Sequence, residues 1–142
     1  MDFGKKEKLM NTLYIIRGPF GSGKTSFAHS ISEHVVSCWD YYAEYGENKW
    51  NIQLKPHADK YCRNRTIDLM NQGMEKVAVT NSFSLSSDLD IYIDTAKKLN
   101  YRVFIVSMTP NSEYQRDVPE SVIKDQITRS HGDFVNGISG AF

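Results

Sequence analysis

The chain has 142 residues, a length that suits one ordinary domain. Apolar residues make up 40% of it, which is close to the usual content of a globular protein and sufficient for a buried core. Basic and acidic residues balance at 17 each. This balance excludes a strong overall field that would draw the protein to nucleic acid or a membrane surface, although a local basic cleft remains compatible with it.

The cysteines and the amino end bear on the cellular compartment. Cys38 and Cys62 fit neither a disulfide framework nor a zinc cluster, which predicts free thiols in a reducing environment. A short basic segment precedes the first apolar stretch, but polar residues interrupt that stretch and no small-residue cleavage site follows it. No run approaches the ~20 apolar residues of a membrane span. We therefore expect a soluble, cytoplasmic protein without membrane contact.

In the first half of the chain, apolar runs and helical periodicity alternate. A strand is predicted over Leu13–Ile16, a helix over Ser26–His34 and a weaker strand over Val35–Trp39. A longer helix is then predicted over Ala58–Asn71, where apolar positions recur among charges.

The second half continues the alternation. Its predicted elements are a strand Val77–Thr80, a helix Leu89–Leu99 with Ser86 or Ser87 as its cap, a strand Arg102–Met108, and a helix opening at Pro119 with Asp117 as its cap. Such alternation favours a parallel sheet covered on both faces. We expect one domain over residues 1–131 and a Gly- and Ser-rich tail over 132–142, which is loose or forms a short edge strand.

One motif dominates the sequence. Gly18-Pro19-Phe20-Gly21-Ser22-Gly23-Lys24-Thr25 satisfies G-x-x-x-x-G-K-[ST], follows an apolar strand and precedes an amphipathic helix. Glycines let backbone N–H groups turn inward around a phosphate, and the following helix directs its positive end at the same group. The fold class predicted is therefore an α/β, P-loop NTPase-type three-layer sandwich with a short, mainly parallel sheet of four to five strands.

The motif assigns a role to each of its residues. Lys24 is expected to contact the β- and γ-phosphates of ATP or GTP, and the Thr25 hydroxyl is expected to bind Mg²⁺. The remaining predicted nucleotide contacts are Gly18, Gly21, Ser22, Gly23 and Ser26. The motif predicts nucleotide binding without specifying the reaction, and no base-reading motif separates ATP from GTP.

The text from Leu13 to Ala28 resembles the opening of small P-loop kinases related to polynucleotide kinase, including the kinase-like domains of the NEDD4-binding-protein-2 type. The likeness extends over most of the chain through Trp39-Asp40-Tyr41-Tyr42, the turn Val79-Thr80-Asn81-Ser82-Phe83, and Val118-Pro119 before the last helix. Beyond the phosphate-binding motif these matches are only moderately specific. The resemblance implies that Asp40 is the general base that activates an acceptor hydroxyl.

Two departures from the family pattern bear on catalysis. Thr80 stands where the family has an acidic residue, and the segment Pro110–Pro119 is a short lid that keeps only Arg116. Lid arginines stabilise charge on the transferred phosphoryl group, a contribution of ~10³–10⁵ in rate in related enzymes. Arg116 is thus either a catalytic lid residue or a solvated loop charge. Arg129 either reaches the nucleotide or covers the core with its stem.

Other residues also have two interpretations. Asp40 is a general base or a surface aspartate that ends a strand. Asn81 and Ser82 lie where the third predicted strand ends, so they hydrogen-bond an acceptor or a metal-bound water, or they form a turn. The aromatic residues Trp39, Tyr41, Tyr42, Tyr45 and Trp50 stack on a base or pack in the protein.

The sequence thus predicts an ATP-dependent kinase of a hydroxyl acceptor, with a nucleoside triphosphate and Mg²⁺ as ligands. The resemblance suggests the 5′-hydroxyl of a polynucleotide or a nucleoside as acceptor. The alternatives are a kinase of a small metabolite or nucleotide, and a regulatory ATP- or GTP-binding protein with weak catalysis. The oligomeric state stays open.

Overall fold

The structure is a computed structural model that describes residues 10–109 and, further on, the helical residues 121, 122, 124 and 126–128. Four strands form the sheet: β1 Thr12–Arg17, β2 His34–Ser37, β3 Lys76–Asn81 and β4 Arg102–Ser107. The α-helices are α1 Lys24–Ile31, α2 Trp39–Tyr45, α3 Lys55–Asn71 and α4 Asp90–Lys98, with 3-10 turns at Ile52–Leu54 and Ser86–Leu89.

The sheet is entirely parallel and has the order β2-β3-β1-β4. β1 is therefore a central strand, paired with β3 from Thr12↔Lys76 to Arg17↔Asn81 and with β4 on its other side. In a parallel sheet all the carboxyl ends meet at one edge, where ligands of open α/β sheets lie. The residues that follow β1, β2 and β3 consequently come together there.

Alternating residues of each strand serve two cores, one on each side of the sheet. Leu13 and Ile15 point into the larger core, where α2, α3 and α4 pack and Tyr42, Leu69 and Leu89 are buried. Ile16 points to the smaller core, where Ala28 of α1 packs. Helices on both faces make a three-layer α/β sandwich, and this confirms the predicted fold class, with four strands among the described residues.

Several predicted boundaries were wrong by a few residues. The second strand ends at Ser37, because Cys38 has helical backbone angles and Trp39 begins α2. His34, predicted to end the first helix, opens β2. The fourth strand ends before Met108, whose N–H donates to the Arg17 carbonyl at 2.8 Å.

Helix starts show two further differences. α3 begins at Lys55, three residues earlier than predicted, with Pro56 in its first turn, where the missing N–H costs nothing. Ser86 and Ser87 do not cap the next helix, because they lie inside a 3-10 turn. The Asp88 carboxylate accepts the Leu85 N–H at 3.1 Å instead. Pro119, Asp117 and the tail 132–142 lie outside the described residues.

Candidate functional site

The motif residues Gly18–Thr25, called the phosphate loop below, connect the carboxyl end of β1 to the first residue of α1. The Gly18 N–H donates to the Ser82 carbonyl at 3.3 Å, so the loop is tied to the end of β3. A Cβ on Gly18 would lie 2.8 Å from Ser22 Oγ and 2.9 Å from the Met108 carbonyl oxygen. Because real side chains do not approach so closely, glycine is required here by packing.

The interior of the phosphate loop carries an unsatisfied hydroxyl. Ser22 is 4% exposed, and its Oγ has no hydrogen-bond partner among the described residues. Buried polar atoms nearly always have a partner, so such an atom indicates a ligand group. Gly23, at φ +83°, directly precedes α1 and turns the chain into the helix. These features fit a phosphate group at the amino end of α1.

Lys24 lies over the phosphate loop. Its Nζ donates to the Pro19 carbonyl at 2.9 Å and lies 5.5 Å from the centre of the Phe20 ring. The Phe20 ring in turn meets Trp39 edge to face at 5.4 Å. Phe20 therefore connects the lysine to the start of α2, a role that the sequence did not indicate because this motif position accepts any residue.

Thr25 is held from the end of β2. Its Oγ1 lies 3.2 Å from Ser37 Oγ, and Ser37 is 3% exposed. The pair places a hydroxyl next to the phosphate loop, as a Mg²⁺ ligand from this motif requires. Among the described residues, no group of three His, Cys, Asp or Glu side chains could hold a metal ion. Thr25 is the residue of the motif whose hydroxyl could hold a magnesium ion here. Ser37 was not predicted as a site residue, because no sequence motif around it indicates that it contacts Thr25.

The end of β3 brings the predicted acceptor residues beside the phosphate loop. Asn81 and Ser82 line a pocket together with Lys24 and Thr25. The Asn81 side chain accepts the Ser82 N–H at 2.7 Å and donates to Asp59 Oδ1 at 3.0 Å. Asn81 is the last residue of β3, and it lines the pocket beside the phosphate loop.

Asp59 on α3 is the second residue that sequence reasoning missed. Its other carboxylate oxygen accepts from Lys55 Nζ at 2.7 Å, and Cys38 Sγ lies 3.7 Å from Oδ1. An ordinary i, i+4 pair on a helix gives no sequence signal for such a position, because only the fold brings Asn81 to it. Asp59 thus joins α3 to the carboxyl ends of β2 and β3.

Asp40 lies in the first turn of α2 and is exposed. The pocket beside the phosphate loop is lined by the preceding residues Cys38 and Trp39, and none of its described lining residues is an aspartate or a glutamate. Burial raises the pKa of Tyr61, and the nearby Asp40 charge raises it further. Asp40 is therefore not among the described residues that line this pocket, although the two residues before it are.

Thr80 is 1% exposed and lines the same pocket, at the point where the family resemblance leads one to expect an acid. The two cysteines, predicted to be free thiols, are free and are also buried. A hydrogen bond with Cys62, together with burial, raises the pKa of the Cys38 thiol, which is therefore protonated and a poor nucleophile.

The aromatic residues predicted either to stack on a base or to pack in the protein have different environments. Tyr42 is buried in the core, whereas Tyr41 and Tyr45 contact each other and Tyr45 is 60% exposed.

The last helix contacts the phosphate loop through a residue that the sequence did not single out. Gln126 is 6% exposed, and its Oε1 accepts the Phe20 N–H at 3.1 Å. Arg116 and Arg129 lie outside the described residues.

Within the described part of the chain, no helix is both long enough and apolar enough to cross a membrane.

No protein-family profile matches the sequence. Among solved structures, the chain is similar to one in the Pnkp1/Rnl/Hen1 RNA repair complex, with a TM-score of 0.68, 16% identity and coverage of 93% of this chain and 48% of that one. It is also similar to a chain of the AvrRxo1-ORF1:-ORF2 complex with ATP, with a TM-score of 0.65, 14% identity and coverage of 95% and 52%. The chain is also similar to the Mycobacterium tuberculosis APS kinase CysC in complex with AMPPNP and APS. The TM-score is 0.51, the identity is 13%, and the match covers 94% of this chain and 76% of that one.

At these identities the likeness concerns the fold. The chain spans about half the length of the first two of these proteins. A central β1, the phosphate loop after it and the parallel order β2-β3-β1-β4 give the chain the fold of the P-loop kinases.

Proposed function

We propose that this protein is an ATP- or GTP-dependent phosphotransferase that moves a γ-phosphate to an acceptor hydroxyl. The observation that carries the proposal is the phosphate loop, with its unsatisfied Ser22 hydroxyl and the cation of Lys24 at the carboxyl edge of the central strand. The neighbours in complex with ATP or AMPPNP support nucleotide binding at such a loop. The sequence resemblance to polynucleotide kinase and NEDD4-binding-protein-2 domains supports a polynucleotide or nucleoside 5′-hydroxyl as acceptor.

In the proposed reaction, the acceptor oxygen attacks the γ-phosphorus and the bond from that phosphorus to the β–γ bridging oxygen breaks. The acceptor proton passes to Asp40, and the nucleoside diphosphate leaves. Lys24, Ser22, Ser26 and the loop amides hold the phosphates. Thr25 would hold Mg²⁺, which when bound would neutralise charge on the phosphates. Asn81 and Ser82 orient the acceptor.

Arg116 and Arg129 are proposed to close over the γ-phosphate and to reach the nucleotide, respectively. Both proposals rest on sequence position alone.

The test is incubation with γ-labelled ATP and a panel of RNA ends, DNA ends, nucleosides, mononucleotides and small metabolites. Label should move to at least one class, and Asp40→Asn should abolish the transfer while nucleotide affinity stays the same. The matched control is Asp94→Asn, an exposed aspartate on α4, which should transfer at the wild-type rate. Equal rates in the two variants would remove Asp40 from the mechanism.

A second candidate is a nucleotide-binding regulator with little catalysis. It is favoured by Thr80 and by the lack of a carboxylate among the described residues that line the pocket beside the phosphate loop. Firm ATP binding without transfer to any acceptor in the panel would establish this alternative and contradict the kinase.

A further inference from the structure

Two consecutive residues at the end of β1 bond two consecutive residues that follow β3. The Gly18 N–H donates to the Ser82 carbonyl at 3.3 Å. The Arg17 guanidinium donates to the Phe83 carbonyl, 66 positions further along the chain. These two hydrogen bonds are called the strand-end link below. The link joins the first residue of the phosphate loop to Ser82, a proposed acceptor residue.

Arg17 is a buried charge on the larger-core side of the sheet. It is 2% exposed and lies on the same face of β1 as Leu13 and Ile15, which pack in the larger core. Burying a guanidinium is costly, and an apolar side chain of similar volume is often as stable or more stable at such a position. The charge is therefore better explained by the placement of the group that it bonds than by stability.

Phe83 has a backbone conformation that needs support from its surroundings. Its φ is +42°, in the left-handed region that residues other than glycine disfavour. Two contacts hold Phe83 there: the Arg17 bond to its carbonyl, and the packing of its buried ring edge-on against Tyr92 at 5.4 Å. Strained residues persist only where the surrounding structure fixes them, and they cluster at binding and switch regions. Without the Arg17 bond, residues 82–85 should relax.

We propose that Arg17 is a positioning residue that fixes residues 82–85 beside the phosphate loop and transmits nucleotide binding to them. The proposal rests on the proposed phosphotransferase function and concerns the regulation of that site. A phosphate group held by the loop amides restrains Gly18 and Arg17, and the strand-end link passes this restraint to Ser82 and Phe83. Ser82 is then held more firmly, so the acceptor binds more tightly after the nucleotide than before it.

This coupling is reciprocal and is separate from the contact of Asp59 with Asn81. An acceptor that orders residues 82–85 should tighten nucleotide binding by the same factor. The strand-end link runs to main-chain carbonyls of Ser82 and Phe83, whereas Asp59 bonds the Asn81 side chain. A change at Asp59 therefore leaves the strand-end link intact.

The test is amide hydrogen exchange of residues 82–85, with and without saturating Mg·AMPPNP, in wild type and Arg17→Met. Methionine is apolar and adapts to irregular gaps in a core, but it cannot donate to the Phe83 carbonyl. In wild type, the nucleotide should slow exchange at 82–85 about fivefold or more, the lower end of usual coupling between sites.

Arg17→Met should change this exchange in two ways. Without nucleotide, residues 82–85 should exchange about tenfold faster than in wild type, as expected for the loss of a hydrogen bond from a charged donor. Mg·AMPPNP should still bind Arg17→Met, but it should no longer slow the exchange of residues 82–85. Arg17→Lys keeps the charge and a single donor group, so its exchange should lie between those of wild type and Arg17→Met.

Two controls separate positioning from general stability. Arg102→Met replaces an exposed arginine at the first position of β4, and it should exchange and respond to nucleotide like wild type. Within Arg17→Met, residues 69–71 at the end of α3 should change less than residues 82–85, because a general loss of stability would speed exchange at both places.

Exchange at 82–85 that does not respond to nucleotide in wild type would contradict the coupling, as would a wild-type response in Arg17→Met. If Arg17→Met does not fold, Arg17→Lys replaces it, and a response equal to that of wild type would then be the contradicting result. Failure of the proposed function is read separately, as absent calorimetric binding of Mg·AMPPNP to wild type. The coupling would fail with it, and the nucleotide-free comparison of Arg17→Met with Arg102→Met would still decide whether Arg17 positions residues 82–85.

Discussion

The proposed nucleotide side and the proposed acceptor side of this site are built in different ways. The phosphate loop is eight consecutive residues, and its own geometry places Ser22, Lys24 and Thr25. The acceptor side is assembled from distant segments, since Asn81 on β3 meets Asp59 on α3 across 22 positions of sequence. A motif of consecutive residues can therefore be predicted from the sequence. A surface assembled from distant segments can be identified only once the packing of the strands and helices is known.

The two sides also differ in what lies beneath them in the structure. Beneath the acceptor side lies the larger core, where Cys38, Cys62 and Tyr92 are buried side by side. The phosphate loop is instead held by single hydrogen bonds, from the Gly18 N–H to the Ser82 carbonyl and from the Phe20 N–H to Gln126 Oε1. Changes in the loop should therefore affect nucleotide binding first, and changes on the acceptor side should affect transfer and core stability.

The largest effect on stability is expected from Gly18→Ala. The new Cβ would lie 2.8 Å from Ser22 Oγ and 2.9 Å from the Met108 carbonyl, so the loop must shift, at a cost of about 1–3 kcal/mol in unfolding free energy. ATP affinity should fall more than tenfold. Gly73→Ala is the control, because its Cβ meets nothing within 4 Å although its φ of +76° also costs about 1–2 kcal/mol. Calorimetry and chemical unfolding measure both quantities, and unchanged ATP affinity in Gly18→Ala would contradict the loop geometry.

Asp59→Ala tests the acceptor side alone. The variant removes the acceptor of the Asn81 amide and the partner of Lys55, so transfer should slow about tenfold through misplacement of Asn81. ATP affinity should stay within about twofold, because Asp59 does not line the pocket of the phosphate loop. Asp68→Ala, exposed on the same helix, should leave both unchanged. A parallel loss of ATP affinity in Asp59→Ala would show that the two sides are not separable.

The same contrast explains which features of the fold and the site could be predicted from the sequence. Alternating apolar runs predicted all four strands and the three-layer sandwich, and the contiguous motif predicted the residues of the phosphate loop. The sequence misplaced the end of β2, because Val35, Val36 and the aromatic Trp39 favour a strand although Cys38 already has helical angles. It gave no sign of Asp59 or Ser37 as site residues, since Asn81 and Thr25, which they contact, lie on other elements.

The stability of the protein at alkaline pH tests the burial of Tyr92 in the larger core, beneath the proposed acceptor side. Burial raises the pKa of Tyr92, so the folded state keeps its proton above pH ~10, where the unfolded state releases it. Its contribution to stability is thus complete below pH ~10 and is lost above it, by about 1.4 kcal/mol at pH 11. Tyr92→Phe should reduce this loss in unfolding measured at pH 8 and pH 11, whereas Tyr45→Phe, 60% exposed, should not. An identical pH dependence in both variants would contradict the burial of Tyr92.

A smaller effect is expected from Ser37→Ala. Loss of the bond to Thr25 Oγ1 should free that hydroxyl to rotate and raise the Mg²⁺ concentration for half-maximal ATP binding a few-fold, consistent with a bond of about 1 kcal/mol. The matched control is Ser30→Ala, since Ser30 is exposed on α1 and bonds only within its helix. Identical Mg²⁺ dependence in the two variants would show that Ser37 does not position Thr25.

The central claim is that the phosphate loop binds a nucleoside triphosphate through Lys24. Calorimetric titration of Mg·ATP and Mg·GTP into wild type and Lys24→Ala tests it most directly. At least one nucleotide should bind wild type, and Lys24→Ala should bind it at least ~100-fold more weakly, since a charge-assisted contact at a buried phosphate is lost. No heat with either nucleotide, or equal affinity in both proteins, would contradict the account.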